Sequence, residues 1–266
     1  MKAVGESCEI PLTYYNKISR TIILLQTMAK FRVKKLIFSS SSTVYGKDPH
    51  PPCKEPEASG ASNPYGSTKF FIEQILFDLQ KSDPEWSIVC LRYFNPIGAH
   101  PSSLIGEDPI NVPKNFLPYL SLVATGHLES FSIFGDDYDT PDGTCIRDYI
   151  HVVDVARAHI SAVDYTATHK SFEAMNLGCG KGFSVLEVIH AYEKACNVKI
   201  PYKVVGRRAG DITYIGEYYC DPSKAKKLLN WTRIDGLRAL RAIATPAARP
   251  PPPTGTTTVS TSGSWL

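Results

Sequence analysis

Tyr65 and Lys69 stand four residues apart where a helix is expected to begin, so a phenol and an ammonium share one helical face and reach a common point. A phenol titrates near 10 on its own, and a cation within about 4 to 6 Å favours the phenolate, which is how a tyrosine becomes a base near neutral pH. The spacing by itself is cheap: a surface tyrosine beside a solvated lysine is the commoner meaning of Y-x-x-x-K. Its setting changes the weight. The apolar run Leu36-Ile37-Phe38 reads as a buried strand that discharges into Ser39-Ser40-Ser41-Ser42-Thr43. Parallel sheets hold ligands outside the carboxyl ends of their strands, so this reading places Ser41 beside Tyr65 over one substrate. Other polar groups have plainer readings. Arg147-Asp148 reads first as an exposed ion pair, Arg207-Arg208 as a basic strand end and Asn176 as a backbone binder. His151 and His159 read as helix residues, since no third ligand stands at metal-binding spacing.

The elements that must position these groups follow from periodicity. Tyr15, Ile18, Ile22, Leu25 and Ala29 recur at steps of three and four, predicting an amphipathic helix over residues 11–30. Residues 46–64 carry five prolines with Gly46 and Gly60, a loop. A second helix begins near Tyr65 with the stripe Phe71, Ile72, Ile75, Leu76 and Leu79. Trp86 to Leu91 reads as a second buried strand, ending at Arg92-Tyr93-Phe94-Asn95-Pro96. The alternation predicts an α/β fold, a Rossmann-like parallel sheet flanked by helices with a smaller α+β substrate-binding lobe. Residues 1–95 plus about 146–165 form a partial dinucleotide-binding domain on this reading, and about 96–145 with 166–240 form the lobe. That lobe is expected to hold a helix at Phe116 to Ala124, a helix opened by the Ser184–Glu187 capping box and running to about Ala195, and a strand at Ile200 to Val205. From Thr245 the chain turns to Pro, Thr, Ser and Gly, and residues 245–266 are expected to be disordered.

Composition narrows the partners. The 266 residues are 43% hydrophobic and 21% charged, ordinary for a globular chain. Lys plus Arg number 29 against 26 Asp plus Glu and are scattered, which argues against nucleic acid and for a small molecule. No apolar run approaches a membrane span and no signal core opens the chain, so a soluble cytoplasmic protein is expected. Seven cysteines without a C-x-x-C pair fit neither a disulfide framework nor a zinc site and read as reduced thiols; no metal is expected.

Six blocks in order carry a resemblance: Phe38-Ser-Ser-Ser-Ser-Thr-Val-Tyr-Gly46, Asn63-Pro-Tyr-Gly-Ser-Thr-Lys69, Leu91-Arg-Tyr-Phe-Asn-Pro-Ile-Gly-Ala-His100, Gly106-Glu-Asp-Pro109, Gly143-Thr-Cys-Ile-Arg-Asp-Tyr-Ile-His-Val-Val-Asp154 and Met175-Asn-Leu-Gly178. Together they resemble the UDP-glucose 4-epimerases, extended short-chain dehydrogenase/reductases, from Lys2 to about Trp231. The resemblance implies a bound NAD that takes the hydride from C4 of UDP-galactose or UDP-glucose and returns it to the other face. It implies Tyr65 as the base on the 4-hydroxyl, Ser41 as hydrogen-bonding relay, and Lys69 as holder of the nicotinamide ribose that also depresses the Tyr65 pKa, helped by the cationic nicotinamide ring. Lys2, Ser39, Ser40, Tyr65, Lys69 and Tyr93 fall at cofactor positions. Ser41, Tyr65, Phe94, Asn95, Asn115, Arg147, Arg208, Asp211 and Tyr218 fall at nucleotide-sugar positions, where an arginine fork suits a diphosphate. A homodimer through the helices near 14–30 and 65–80 is also implied.

The chain departs from the family in places. The family's G-x-x-G-x-x-G turn, whose backbone amides hold a pyrophosphate, does not occur here, and roughly 70 to 80 residues of the family's front have no counterpart. The expectation is therefore a truncated chain that does not bind NAD on its own, with strand 36–38 left unpaired along one edge. Lys17 stands where a cofactor-contacting asparagine is usual, Lys114 replaces the first of two asparagines, and about three extra residues separate Asp211 from Asp221. Tyr218, if it is the sugar-pocket tyrosine, favours hexoses over N-acetylhexosamines by its bulk. The tail after Trp231 replaces the family's final helix. Two rivals stand beside an epimerase: a noncatalytic UDP-sugar-binding or subunit-pairing relative that has lost NAD binding, and another NAD-dependent sugar-nucleotide dehydratase or decarboxylase. The second needs an acid beside the serine loop, and the serine run offers none.

Overall fold

The computed structural model describes residues 4–102, 104–107, 113, 115–207 and 216–233. Its elements in chain order are α1 (Val4–Glu9), α2 (Pro11–Lys30), β1 (Lys35–Ser41), α3 (Pro64–Ser82), β2 (Ser87–Tyr93), β3 (Asn95–Ile97), α4 (Phe116–Ala124), β4 (Phe131–Phe134) and β5 (Ile146–Arg147). There follow β6 (Tyr149–His151), α5 (Val152–Thr168), β7 (Phe172–Leu177), β8 (Phe183–Ser184), α6 (Val185–Cys196), β9 (Tyr202–Val205), β10 (Glu217–Tyr218) and α7 (Ser223–Leu229).

The main sheet is parallel throughout, ordered β1-β2-β7. β2 is buried along almost its whole length, and its pleat sends alternate side chains into two cores. Ile88 and Cys90 meet Leu25, Ile72, Leu76 and Trp86 under α2 and α3. Val89 and Leu91 meet Ile150, Val155, Ala158, Ala162, Leu229 and Trp231 under α5 and α7. Helices thus cover both faces, the layered α/β arrangement expected of the β-α-β alternation. A separate core gathers Leu117, Leu120, Val123, Phe131, Ile133, Val188, Ile189 and Tyr192 between α4, β4 and α6. There β4 pairs with β9 in parallel.

Several expectations change at this level. β1 runs on through Ser41, so the first three serines are strand residues paired with Leu91, Arg92 and Tyr93. Ile146–Arg147 and Tyr149–His151, both within the segment assigned to the dinucleotide-binding domain, belong to two different small sheets on either side of Asp148. Phe172–Leu177, left with the smaller lobe by the sequence reading, is the third strand of the main sheet. α2 buries Tyr14 and Leu25, with Ile22 39% exposed, so its inner face is turned from the expected Tyr15, Ile22 and Ala29. The cause is Tyr14, which packs edge-on against Tyr65 of α3 and donates to Glu6 of α1 at 2.5 Å. Phe71, expected in the core, is also outside at 46% exposure. β1 is an edge strand among the described residues, and Leu36, Ile37 and Phe38, read from the sequence as a buried run, are only half-buried. Cys53, Cys90, Cys179 and Cys220 are buried as reduced thiols, burial pushing Cys53 up to about 12 and Cys179 up to about 11. No helix among the described residues is long and apolar enough to cross a membrane. The tail at 245–266 lies outside the described residues.

Candidate active site

Three chain segments meet at the carboxyl end of β1. Ser41 ends the strand and caps a short 3-10 turn, its Oγ accepting from Thr43 N at 3.3 Å and from Thr43 Oγ1 at 3.1 Å. α3 starts with Pro64 behind the cap Asn63, whose side-chain oxygen accepts from Gly66 N at 2.9 Å. A Cβ on Gly66 would lie 2.8 Å from Ala61 Cβ and 3.0 Å from Thr43 Cβ, so the bare backbone lets α3 seat its first turn on the Ser42–Val44 turn. That approach brings Tyr65 into hydrogen-bonding contact with Ser41.

One helical turn on, Lys69 Nζ donates to the carbonyl of Ser39 at 2.7 Å and lies over the rings of Phe38 (5.0 Å) and Tyr65 (5.7 Å). Burial, with Lys17 acting in the same direction and Glu73 opposing, lowers the Lys69 pKa to about 8. The Tyr65 phenol is pushed above its ordinary value by burial, with the Ser41 hydrogen bond opposing. Burial thus outweighs the lowering by the protein's own groups at Tyr65, and the Lys69 ammonium is engaged with a carbonyl of β1. Tyr93, at the end of β2, donates to Ser39 Oγ at 2.8 Å, and its Oη lies 2.7 Å from His159 Nε2. Burial raises its pKa to about 12, opposed by the bond to Ser39 and reinforced by Tyr65.

Ser40, expected on the cofactor side, turns its hydroxyl the other way. The pleat aims it at α3, where it donates to the buried carboxylate of Glu73. Glu73 also receives Arg92, Nη2 at 2.6 Å and Nε at 3.1 Å, and Arg92 Nη1 reaches Tyr45 Oη at 3.2 Å and the Glu55 carbonyl at 2.8 Å. Tyr45 donates onward to Asn176 Oδ1 at 2.6 Å, and Asn176 Nδ2 binds the Cys53 carbonyl at 2.9 Å. Asn176 is thus partly the backbone binder expected. This network braces the floor of the site, and the sequence reading missed it; Glu73 stands one turn beyond Lys69, which is the signal that points to it.

The expected sugar-side residues are spread along the adjoining segments. Phe94 is 5% exposed and packs between Tyr45 and Tyr218, ring centroids 6.2 and 5.1 Å away, so its ring is core. Tyr218 donates to the carbonyl of Ser42 at 2.5 Å, next to Ser41. Asn95 donates from both its backbone N and Nδ2 to the Asp148 carbonyl at 3.0 Å. Asn115 precedes α4 and reaches Glu107 at 3.5 Å. Arg147 is half-buried, with Nη1 on the Ile146 carbonyl at 2.8 Å and the Gly216 carbonyl at 3.3 Å. Lys2, Arg208 and Asp211 lie outside the described residues.

Asp148 overturns its reading as half of an exposed ion pair. It is fully buried and accepts from the backbone of Cys179 (2.5 Å), Gly180 (3.0 Å) and Cys220 (3.3 Å). His151 caps α5 by accepting from Val153 N at 3.2 Å, a structural use as expected.

A parallel sheet covered on both faces, with serine, tyrosine and lysine collected at its carboxyl end, defines a Rossmann-like enzyme fold. The family model described as the NAD dependent epimerase/dehydratase family matches residues 2–178. UDP-glucose 4-epimerase of Bacillus subtilis is 51% identical over 243 residues, covering 91% of this chain and 71% of that protein. The crystal structure of UDP-glucose 4-epimerase from Bifidobacterium longum in complex with NAD+ and UDP superposes with TM-score 0.85 at 50% identity, over 92% of this chain and 72% of that one. That from Stenotrophomonas maltophila with bound NAD and formylated UDP-arabinopyranose gives TM-score 0.87 at 45% identity, with the same coverage. The chain belongs to the NAD dependent epimerase/dehydratase family, among its UDP-glucose 4-epimerases.

Proposed function

We propose that the protein interconverts UDP-glucose and UDP-galactose by transient oxidation at C4, in the cytoplasm, as one subunit of a homodimer. The observation that carries this reading is the meeting of Ser41, Tyr65 and Lys69 at the carboxyl end of β1 in a chain of this family. Tyr65 takes the proton of the 4-hydroxyl and gives it back after inversion, with Ser41 holding that hydroxyl. NAD, when bound, supplies the hydride acceptor and, in its oxidised ring, the positive charge that Tyr65 needs to titrate near neutrality. Lys69, Ser39 and Tyr93 form a polar cluster that fits the nicotinamide end of such a cofactor; Lys2, outside the described residues, is assigned to the same cofactor by its motif position. The G-x-x-G-x-x-G pattern of a pyrophosphate-binding turn does not occur in this sequence. Asn95, Asn115, Arg147, Arg208 and Asp211 hold the UDP group, and Tyr218, backed by the buried ring of Phe94, favours hexoses by its bulk. The outward apolar side chains of α2 and α3, Ile23, Leu24, Phe71 and Phe77, support pairing of two copies through these helices.

The absence of an acid beside the serine turn weighs against a dehydratase or decarboxylase. The test has two arms: nucleotide released per mole of denatured protein, and conversion of UDP-galactose to UDP-glucose by the wild type and by Tyr65→Phe with NAD supplied in excess. Turnover that Tyr65→Phe lowers by orders of magnitude, with UDP binding kept, supports the assignment. Absence of NAD binding and of turnover, with UDP-sugar binding kept, supports the noncatalytic relative instead.

A further inference from the structure

Asp148 stands where the chain leaves one small sheet for another, with β5 and its Arg147 before it and β6 after it. Its backbone serves both. The amide donates to the carbonyl of Tyr218 at 3.1 Å, continuing the pairing of Arg147 with Tyr218 between β5 and β10. The carbonyl accepts twice from Asn95 at the start of β3, from the backbone N and from Nδ2, each at 3.0 Å. The buried carboxylate holds a third segment. Oδ1 accepts from Cys179 N at 2.5 Å, and Oδ2 from Gly180 N at 3.0 Å, Cys220 N at 3.3 Å and Cys220 Sγ at 3.4 Å. All four of these groups are donors, so the arrangement suits a carboxylate with no hydrogen of its own. Burial pushes the Asp148 pKa up, and the bonds from Cys179, Cys220 and Gly180 oppose the rise. Gly178 permits the approach: a Cβ there would lie 2.4 Å from Asp148 Oδ2 and 2.5 Å from Cys220 Sγ.

We propose that Asp148 is a positioning residue that fixes Asn95, Arg147 and Tyr218 relative to one another, so that the three reach a single UDP-sugar together. Each is joined to it by a different route: Asn95 through the carbonyl, Tyr218 through the amide, and Arg147 as its neighbour in the chain. The carboxylate touches none of the three. It anchors their shared point to the Cys179–Gly180 turn and to Cys220, two residues beyond Tyr218. The anchor matters because β3 and β6 have three residues each and β5 and β10 only two. Strands this short make few ladder bonds, so their alignment has to be fixed from outside the pairing. This role rests on the assignment of Asn95, Arg147 and Tyr218 to the nucleotide sugar, whereas the bonds that join them to Asp148 are independent of it.

Calorimetry with UDP on the full chain tests it. Asp148→Asn keeps the size of the side chain but turns one acceptor into an NH2 group that faces donors, and the Kd for UDP should rise about tenfold. Leu76→Ala, which empties a fully buried position under α2 and α3, controls for lost stability: it should lower Tm and leave the Kd within about twofold. A Kd that Asp148→Asn leaves unchanged, or that Leu76→Ala raises as much, overturns the proposal. If Asp148→Asn does not fold, Cys220→Ala, which removes one donor of the four, takes its place in both measurements; a Kd raised about two- to fivefold is expected, and an unchanged one overturns the role. Wild type that fails to bind UDP counts against the proposed function, and amide hydrogen exchange then decides this one without any ligand. In Asp148→Asn the amides of Asn95, Gly180 and Cys220 should exchange at least about tenfold faster together, while those of β2 keep their wild-type rates. Faster exchange throughout the chain, or at Gly180 and Cys220 without Asn95, overturns it.

Discussion

Lys69 points its ammonium at the carbonyl oxygen of Ser39, 2.7 Å away, and presents only its flank to Tyr65, whose ring centre is 5.7 Å from Nζ. The cation therefore ties α3 to β1 first and acts on the phenol second. With the Lys69 pKa lowered to about 8, holding that charge in place costs folding free energy at neutral pH.

The sign of that cost can be checked. Between pH 8 and the ordinary lysine value near 10.4, the unfolded chain binds the proton that the folded chain has released, so stability rises with pH across this window. Lys69→Met should be more stable than wild type at pH 7, by about 1 kcal/mol after its lost hydrogen bond is counted, and the gain should shrink towards pH 10. Urea titrations at pH 7 and 9.5 measure it; a gain that grows with pH contradicts the assignment.

Glu73 and Arg92 form a buried pair, side chains 3% and 6% exposed, and removing one partner strands the other's charge. Glu73→Gln is expected to destabilise by about 3 to 5 kcal/mol, whereas Glu73→Leu combined with Arg92→Met should recover most of the loss. If the double variant is as unstable as the single one in chemical denaturation, the charge argument fails.

Gly66→Ala adds a methyl group where Ala61 and Thr43 already stand within 3.0 Å. Despite the better helix propensity of alanine, the variant should lose about 1 to 3 kcal/mol and shift Tyr65 away from Ser41. Its lower Tm should therefore come with a kcat loss greater than the KM change, while Gly106→Ala, with its nearest contact at 3.5 Å, should match wild type in both.

Arg147→Ala should weaken UDP binding by about tenfold, the worth of a hydrogen bond from a charged donor. An unchanged Kd by calorimetry would remove Arg147 from the nucleotide site.

The layered α/β architecture was legible because β2 is apolar on both faces and the helices carry clear stripes. The Tyr65–Lys69 pair and Ser41 were legible because their spacing and their place after a strand are local facts. What the sequence did not reveal depends on long-range pairing. The turn of α2 about its axis is decided by Tyr14 meeting Tyr65, fifty-one residues away, and no periodicity within α2 contains that contact. The polarity of Ser40 is set by the pleat and by Glu73. Asp148 read as surface charge because its neighbour is an arginine, yet its partners are backbone amides from Cys179, Gly180 and Cys220, which no charge pattern displays.

Those partners of Asp148 lie 31 to 72 residues from it along the chain, so its hydrogen bonds close only when distant segments have already come together. Contacts of such span are won late in folding, after the loop-closure entropy of the intervening chain has been lost. Asp148 should consequently govern how fast the native protein comes apart more than how fast it forms, acting as a latch on lifetime.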